Sequence, residues 1–126
     1  MVIGNGVTSI GNYAFSNCTG LTSVEIPNSV TGIGKEAFNG CTGLTSVTIP
    51  EGVTSIGKDA FGGCSALTTV TLPKGVKKMP DAFNNCTGIT TINIPAKKID
   101  YYKKRLPEEL HRFIVEMEPE KKAKKK

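Results

Sequence analysis

Leu21, Leu44, Leu67 and Ile89 stand 23, 23 and 22 residues apart, and the same pattern of side chains surrounds each of them. Val24, Val47, Val70 and Ile92 follow three residues later, then Ile26, Ile49, Leu72 and Ile94, and each unit closes on Pro27, Pro50, Pro73 or Pro95. A unit this short buries its apolar side only against another copy of itself, so a fixed period of about 20 to 50 residues dictates a solenoid rather than a globule around one central core. The expected fold is a repeat solenoid: short parallel β-strands stacked in a curved right-handed coil, over residues 1–96.

Taken in order, Ile3 falls where Ile26 and Ile49 stand, so the chain starts inside a strand position with no N-terminal cap. The coils then read Val7, Ile10, Ala14, Phe15, Cys18; Val30, Ile33, Ala37, Phe38, Cys41; Val53, Ile56, Ala60, Phe61, Cys64; and Val76, Met79, Ala82, Phe83, Cys86. In the fourth, one residue is missing between Met79 and Ala82 and Pro80 replaces the glycine step, which predicts a local change of path. Val-x-Ile alternation with β-branched residues fits a half-buried strand. The proline after it removes a donor and ends the ladder. Gly11, Gly34 and Gly57 are expected to permit a turn, and Lys35–Phe38 with its equivalents fits one helical or 3₁₀ turn that points Phe and Cys inward.

The period breaks after residue 96, and residues 97–118 are expected to cap the array. Ile99, Tyr102 and Leu106 are spaced three and four apart among helix formers, which predicts a capping helix. Beyond Pro107, Leu110, Phe113, Ile114 and Met117 fit an amphipathic helix, while Leu110-x-x-Phe113-x-Val115 fits a fifth strand; the strand is favoured. Residues 119–126 are Lys-rich, too polar to pack, and expected to be a solvated, disordered tail.

The strand pattern LxxVxIP followed by VxxIGxxAFxxCxxL resembles the BspA-like class of leucine-rich repeats, known from bacterial surface antigens. The resemblance covers residues 1 to about 96 and departs from the common leucine-rich repeat in one respect. No Asn or Cys follows the strand to form a buried polar ladder; Pro and Gly occupy that bend. The resemblance implies a binding scaffold, often for adhesion to host or matrix proteins, at the cell surface or secreted. Met1–Gly6 shows neither a basic segment nor an apolar run, so no secretory signal is visible, and the sequence leaves the compartment open.

The net charge of +5 is unevenly spread: residues 1–96 carry five Lys and five acidic residues, and residues 97–126 carry nine Lys, two Arg and six acidic residues. A neutral array offers no basic stripe, which argues against nucleic acid as the partner. No apolar run of about eighteen residues is present, so no transmembrane segment is expected.

Cys18, Cys41, Cys64 and Cys86 share one repeat position and should stack about 4.8 Å apart. That spacing does not forbid disulfides; shielding by Phe and Leu favours free thiols. With no CxxC pair and one histidine, no zinc site or other cofactor is expected. His111 reads as a surface residue. Glu25, Glu51, Asp59 and Asp81 are read as lying in different repeat phases, without an aligned carboxylate pair, and no base recurs beside the many Ser and Thr. Asn17-Cys18-Thr19 and Asn85-Cys86-Thr87 match the glycosylation pattern but follow from the repeat. The chain is expected not to be an enzyme.

Two functions remain. If Val24 and Ile26 point inward, Ser23 and Glu25 point to the concave face. The same alternation sets a column of Ser23, Ser46, Thr69 and Thr91 beside one of Glu25, Thr48, Thr71 and Asn93. These eight are the candidate ligand-binding residues, for a protein or glycan. The alternative is an assembly module that self-associates through the uncovered edge at Val2 and Ile3.

Overall fold

The computed structural model describes residues 1–118; the expectation of a solvated tail at 119–126 lies outside them. Four coils stack in parallel through two separate ladders. The smaller sheet runs β1 (Ser9–Ile10), β2 (Gly32–Ile33), β4 (Ser55–Ile56), and is extended by a single bridge from Ser55 to Lys78. The larger runs β3 (Ser46–Thr48), β5 (Thr69–Thr71), β6 (Thr91–Ile94), β7 (Ile114–Glu116). Each registered pair is one repeat apart, Val47 with Val70 and Val70 with Ile92, so the strand expected from Val-x-Ile is present. The smaller sheet was not expected. Its strands are two residues long, too short for period-two alternation to announce them.

The segment expected to make one helical or 3₁₀ turn places Phe and Cys inward, but as a run of separate i→i+3 turns (Ala37 N–H to Gly34 C=O, Asn39 to Glu36, Cys41 to Phe38) and not as a continuous helix. Tyr13, Glu36, Asp59 and Asp81 all take a left-handed backbone, as do Asn17, Gly40, Gly63 and Asn85 four residues on, and a residue with positive φ cannot continue a right-handed helix. Instead the turns form a third ladder: Tyr13 N–H donates to Lys35 C=O, Phe15 to Ala37 and Asn17 to Asn39; the same three bonds recur at the next junction, and at the last the second and third recur while the first shifts its acceptor by one residue. The missing residue of the fourth coil is absorbed there. Asp81 keeps the left-handed conformation of Asp59, and Asp59 N–H still reaches Asp81 C=O at 3.3 Å. This corrects the sequence reading of the acidic residues, since Asp59 and Asp81 share one repeat position, along with Glu36. Gly34 and Gly57 serve close approach rather than a special turn angle: a Cβ on Gly34 would lie 2.6 Å from Asn12 N, and one on Gly57 2.6 Å from Gly34 C.

Inside the coils, Phe15, Phe38, Phe61 and Phe83 stack with centroids 5.2, 5.1 and 5.5 Å apart and planes 15°, 4° and 13° off parallel. This is the offset-stacked geometry, which adds about 0.5–1.5 kcal/mol per pair to the burial itself. All four cysteines are free thiols, three of them buried. Cys41, Cys64 and Cys86 each donate from Sγ to the carbonyl of the preceding coil's Phe. Burial pushes the Cys41 thiol up to about 11. The neighbouring Cys86 thiol, and then burial, drive Cys64 up as well.

Beyond the fourth coil, α1 (Ile99–Lys103) and a 3₁₀ turn (Glu108–Phe113) cover the last rung. Tyr102 is fully buried; its hydroxyl donates to Pro73 C=O and accepts from Val76 N–H. Tyr101 donates to Val76 C=O at 2.9 Å, and Arg105 lies over its ring with Cζ 3.6 Å from the centroid. The fifth rung is a strand, but one residue out of the expected register. Ile114, not Phe113, opposes Ile92, and Glu116, not Val115, opposes Ile94. A slip of one residue exchanges the two faces, so Val115 is turned outward and is 47% exposed. Glu116 Oε2 accepts from Lys97 N–H at 2.7 Å, which holds that register. His111 is not a free surface residue: its Nε2 lies 3.1 and 3.0 Å from the carbonyls of Lys103 and Leu106, at the end of α1.

Three expected outcomes follow from the packing. A chain ending at residue 97 should aggregate or lose cooperative melting by circular dichroism, because Ile92 and Ile94 become an open edge; one ending at 118 should melt as the full chain does. Native thiol labelling should reach half-buried Cys18 and spare the other three until denaturant is added. With an unfolded thiol ionising at 9.0 and Cys41 at about 11, the thiol favours the folded state below pH 9, and the melting temperature should fall as pH rises between those values.

Candidate functional site

Six of the eight side chains named from strand alternation stand where it put them. Ser46, Thr69 and Thr91 are in register across β3, β5 and β6, as are Thr48, Thr71 and Asn93, all on the side away from Val47, Val70 and Ile92. Asn93 Nδ2 donates to Thr71 Oγ1 at 3.3 Å, tying two members of one column. Val115, opposite Asn93, extends that column with an apolar side chain. The sequence reading missed it because the fifth rung was set one residue out of register.

Ser23 and Glu25 do not join this sheet. Glu25 bridges to Val2 on its other side, and its N–H donates to Met1 C=O at 2.8 Å. At three of the four comparable junctions an inward residue donates forward: Ile3 to Glu25, Ile49 to Thr71, Leu72 to Asn93. The matching bond from Ile26 N–H to Thr48 C=O is not made, nor is the one from Thr48 N–H back to Val24 C=O. Thr45 N–H still reaches Thr22 C=O at 3.3 Å, and Thr54 N–H reaches Thr31 C=O at 3.0 Å, so the coils remain joined above and below the gap. Between them lies a cleft of about 310 Å³, walled by Ser23–Ile26 and Asn28 on one side and Ser46–Thr48 and Pro50 on the other. Ser23, Glu25, Ser46 and Thr48 thus face one another across a cleft rather than continuing a sheet.

A neighbouring column is committed to structure. The hydroxyls of Thr45, Thr68 and Thr90 donate to the carbonyls of Thr22, Thr45 and Thr68, which leaves them unavailable as donors to a ligand. Of the eight candidates only Glu25 is charged. Among the described residues no three His, Cys, Asp or Glu side chains converge on a metal-sized site. Asp59 Oδ1 is buried without a hydrogen-bond partner, but it lies on the turn side and not on this face. A second cavity, about 200 Å³, separates the turn Met79–Thr87 from Leu106–Leu110 and contains none of the eight residues. No helix among the described residues is long and apolar enough to cross a membrane. The arrangement offers hydroxyls, one amide, one carboxylate and unpaired peptide groups, which suits hydrogen-bonded recognition.

The family described as BspA type leucine rich repeat region (6 copies) matches residues 1–105. The chain belongs to the BspA-type leucine-rich repeat family. Solved structures agree on the fold. This BspA-type chain superposes on a leucine-rich repeat protein from Bacteroides ovatus with a TM-score of 0.74 at 30% identity, over 90% of this chain and 29% of that one. With a leucine rich cell surface protein from Faecalibacterium prausnitzii the values are 0.57 and 36%, over 75% and 31%. A T. pallidum leucine-rich repeat protein matches at 0.61 and 24%, over 74% of this chain and 57% of its own, and speaks to fold alone. The BspA-type chain therefore spans less than a third of the first two. Among curated proteins, none matches significantly.

The gap in the ladder has a direct readout in hydrogen exchange by NMR. The amides of Ile26 and Thr48 should exchange at least about tenfold faster than those of Ile49 and Leu72, whose bonds are intact. Equal protection at all four would mean that the two rungs are paired in solution.

Proposed function

We propose that this chain is a non-enzymatic scaffold that binds a protein or glycan through the outer face of its larger sheet. The observation that carries this reading is the registered pair of columns, Ser46, Thr69, Thr91 and Thr48, Thr71, Asn93, presented on strands fixed by backbone hydrogen bonds. Side chains held on a rigid sheet lose little conformational freedom on binding. Ser23 and Glu25 extend the same surface across the cleft. Adhesion is the family-level expectation, and one structural relative is described as a cell surface protein.

The face holds no Trp, Tyr or Arg among the eight residues, the types that anchor tight interfaces. A single copy should bind weakly. The two structural relatives of which this chain spans less than a third fit a surface that gains strength from many rungs acting together.

A ligand selected from an array of purified matrix proteins and glycans provides the test. Thr48→Arg and Thr71→Arg should each weaken its binding by about tenfold or more; stability should move by no more than about 0.5 kcal/mol at exposed Thr48 and fall by about 1 kcal/mol at half-buried Thr71, which loses its bond from Asn93. Lys35→Glu and Lys58→Glu, on the turn side, should leave binding unchanged. The reverse pattern in surface plasmon resonance would move the site to the turns.

A further inference from the structure

The cleft between the rung Ser23–Ile26 and β3 presents four peptide groups with no partner: Val24 C=O and Ile26 N–H on one wall, Thr48 N–H and Thr48 C=O on the other. Each wall offers one donor and one acceptor, in the spacing that every other junction of the larger sheet uses for a parallel strand. Unpaired peptide groups are costly to leave unmatched, and an exposed strand edge is a template for another chain. We propose that this cleft accepts an extended peptide, inserted as an additional parallel rung, with a basic side chain at its centre. The proposal rests on the reading of this face as the binding surface and specifies one site and one ligand class within it.

The register follows from the bonds made elsewhere. The central residue of the inserted segment takes the place that Glu25 has toward Met1 and Ile3: its N–H donates to Val24 C=O and its C=O accepts from Ile26 N–H. The residue before it accepts from Thr48 N–H, and the residue after it donates to Thr48 C=O. Three residues thus satisfy all four groups. Strand alternation turns the flanking side chains inward beside Val24, Val47, Ile26 and Ile49, where small or β-branched apolar groups fit, and turns the central side chain outward between Glu25 and Thr48. Glu25 is the only charge among the eight face residues, so the central side chain is Lys or Arg. Widening the cleft for a strand breaks no central ladder bond, because none is made. The junction must yield at its two ends, where Thr45 N–H and Oγ1 meet Thr22 C=O at 3.3 and 3.4 Å and Thr54 N–H and Oγ1 meet Thr31 C=O at 3.0 and 3.5 Å. A sugar is disfavoured as occupant, since no aromatic ring lines the cleft to stack against it.

The experiment titrates the full ¹⁵N-labelled chain with the blocked pentapeptide acetyl-Ser-Val-Lys-Ile-Ser-amide and follows every amide. Support is a saturable shift at Ile26 and Thr48 with a gain in exchange protection of about tenfold or more. The peptide N-methylated at its Lys should move neither amide, Glu25→Gln should weaken the titration about three- to fivefold, and a peptide with Glu in place of Lys should bind more weakly still. Unmoved Ile26 and Thr48 amides up to the peptide's solubility limit, or shifts that N-methylation leaves intact, would overturn the insertion. Thr71→Arg separates the two readings. It lies one rung beyond β3 and should leave the peptide titration unchanged. Failure of the peptide to bind, with Thr71→Arg still weakening an array-selected ligand about tenfold or more, sinks the cleft and leaves the face standing; peptide binding with no effect of Thr71→Arg on that ligand does the opposite.

Discussion

Every position in the repeat array must tolerate a copy of itself one strand spacing away, and that in-register constraint governs the rest of the molecule. Aromatic rings meet it by offset stacking, as Phe15 to Phe83 do. Thiols meet it by donating to a carbonyl of the coil before, as Cys41, Cys64 and Cys86 do. Threonine hydroxyls do the same at the rim. Where the backbone itself approaches too closely for a side chain, glycine is required, and Gly34 and Gly57 stand there. A column of acids, Glu36, Asp59 and Asp81, violates the rule electrostatically. It is tolerated on the turns, where the residues are at least partly in contact with water.

How much of this could be read beforehand depends on whether a feature is carried by side-chain type or by backbone geometry. The inward set at Leu21, Val24, Phe38, Cys41 and their copies announces itself, because burial selects the same few residue types four times over. The two-residue strands of the smaller sheet carry too few side chains to show an alternation. The left-handed turn residues are hidden for a different reason: Tyr13, Glu36, Asp59 and Asp81 are not the glycines that usually mark positive φ. Phe113, Ile114 and Val115 are all apolar, so three consecutive residues can each fill an inward position. Only Glu116 reaching Lys97 N–H settles the register.

The candidate face was legible in the same partial way. Alternation alone assigns Ser46, Thr48, Thr69, Thr71, Thr91 and Asn93 to one side, because it needs nothing but the period of a strand. It assigns Ser23 and Glu25 to that side as well, and is blind to whether their rung is bonded to the next. The residues Leu21–Pro27 and Leu44–Pro50 read almost identically, and no side chain marks the junction at which the ladder fails. The break is a property of how two coils sit on each other, and the neighbour at Met1–Ile3 takes the hydrogen bonds on the far side of Glu25.

The ladder of the turns differs in one respect from those of the strands. In the sheets, donors point both ways along the stack and their dipoles largely cancel. In the turns every bond runs forward, from Tyr13, Phe15 and Asn17 toward the next coil and so on to the fourth. Aligned peptide dipoles add, as they do in a helix, so the turns form a polarised spine along the stack. Its positive end carries the unanswered N–H groups of Asp81, Phe83 and Asn85, and its negative end the carbonyls of Asn12, Ala14 and Ser16. The two ends of the stack are therefore electrically unlike, with a carboxylate, Asp81, stationed at the positive one. A tally of ionised side chains gives no hint of this polarity, because it is written in the direction of the backbone.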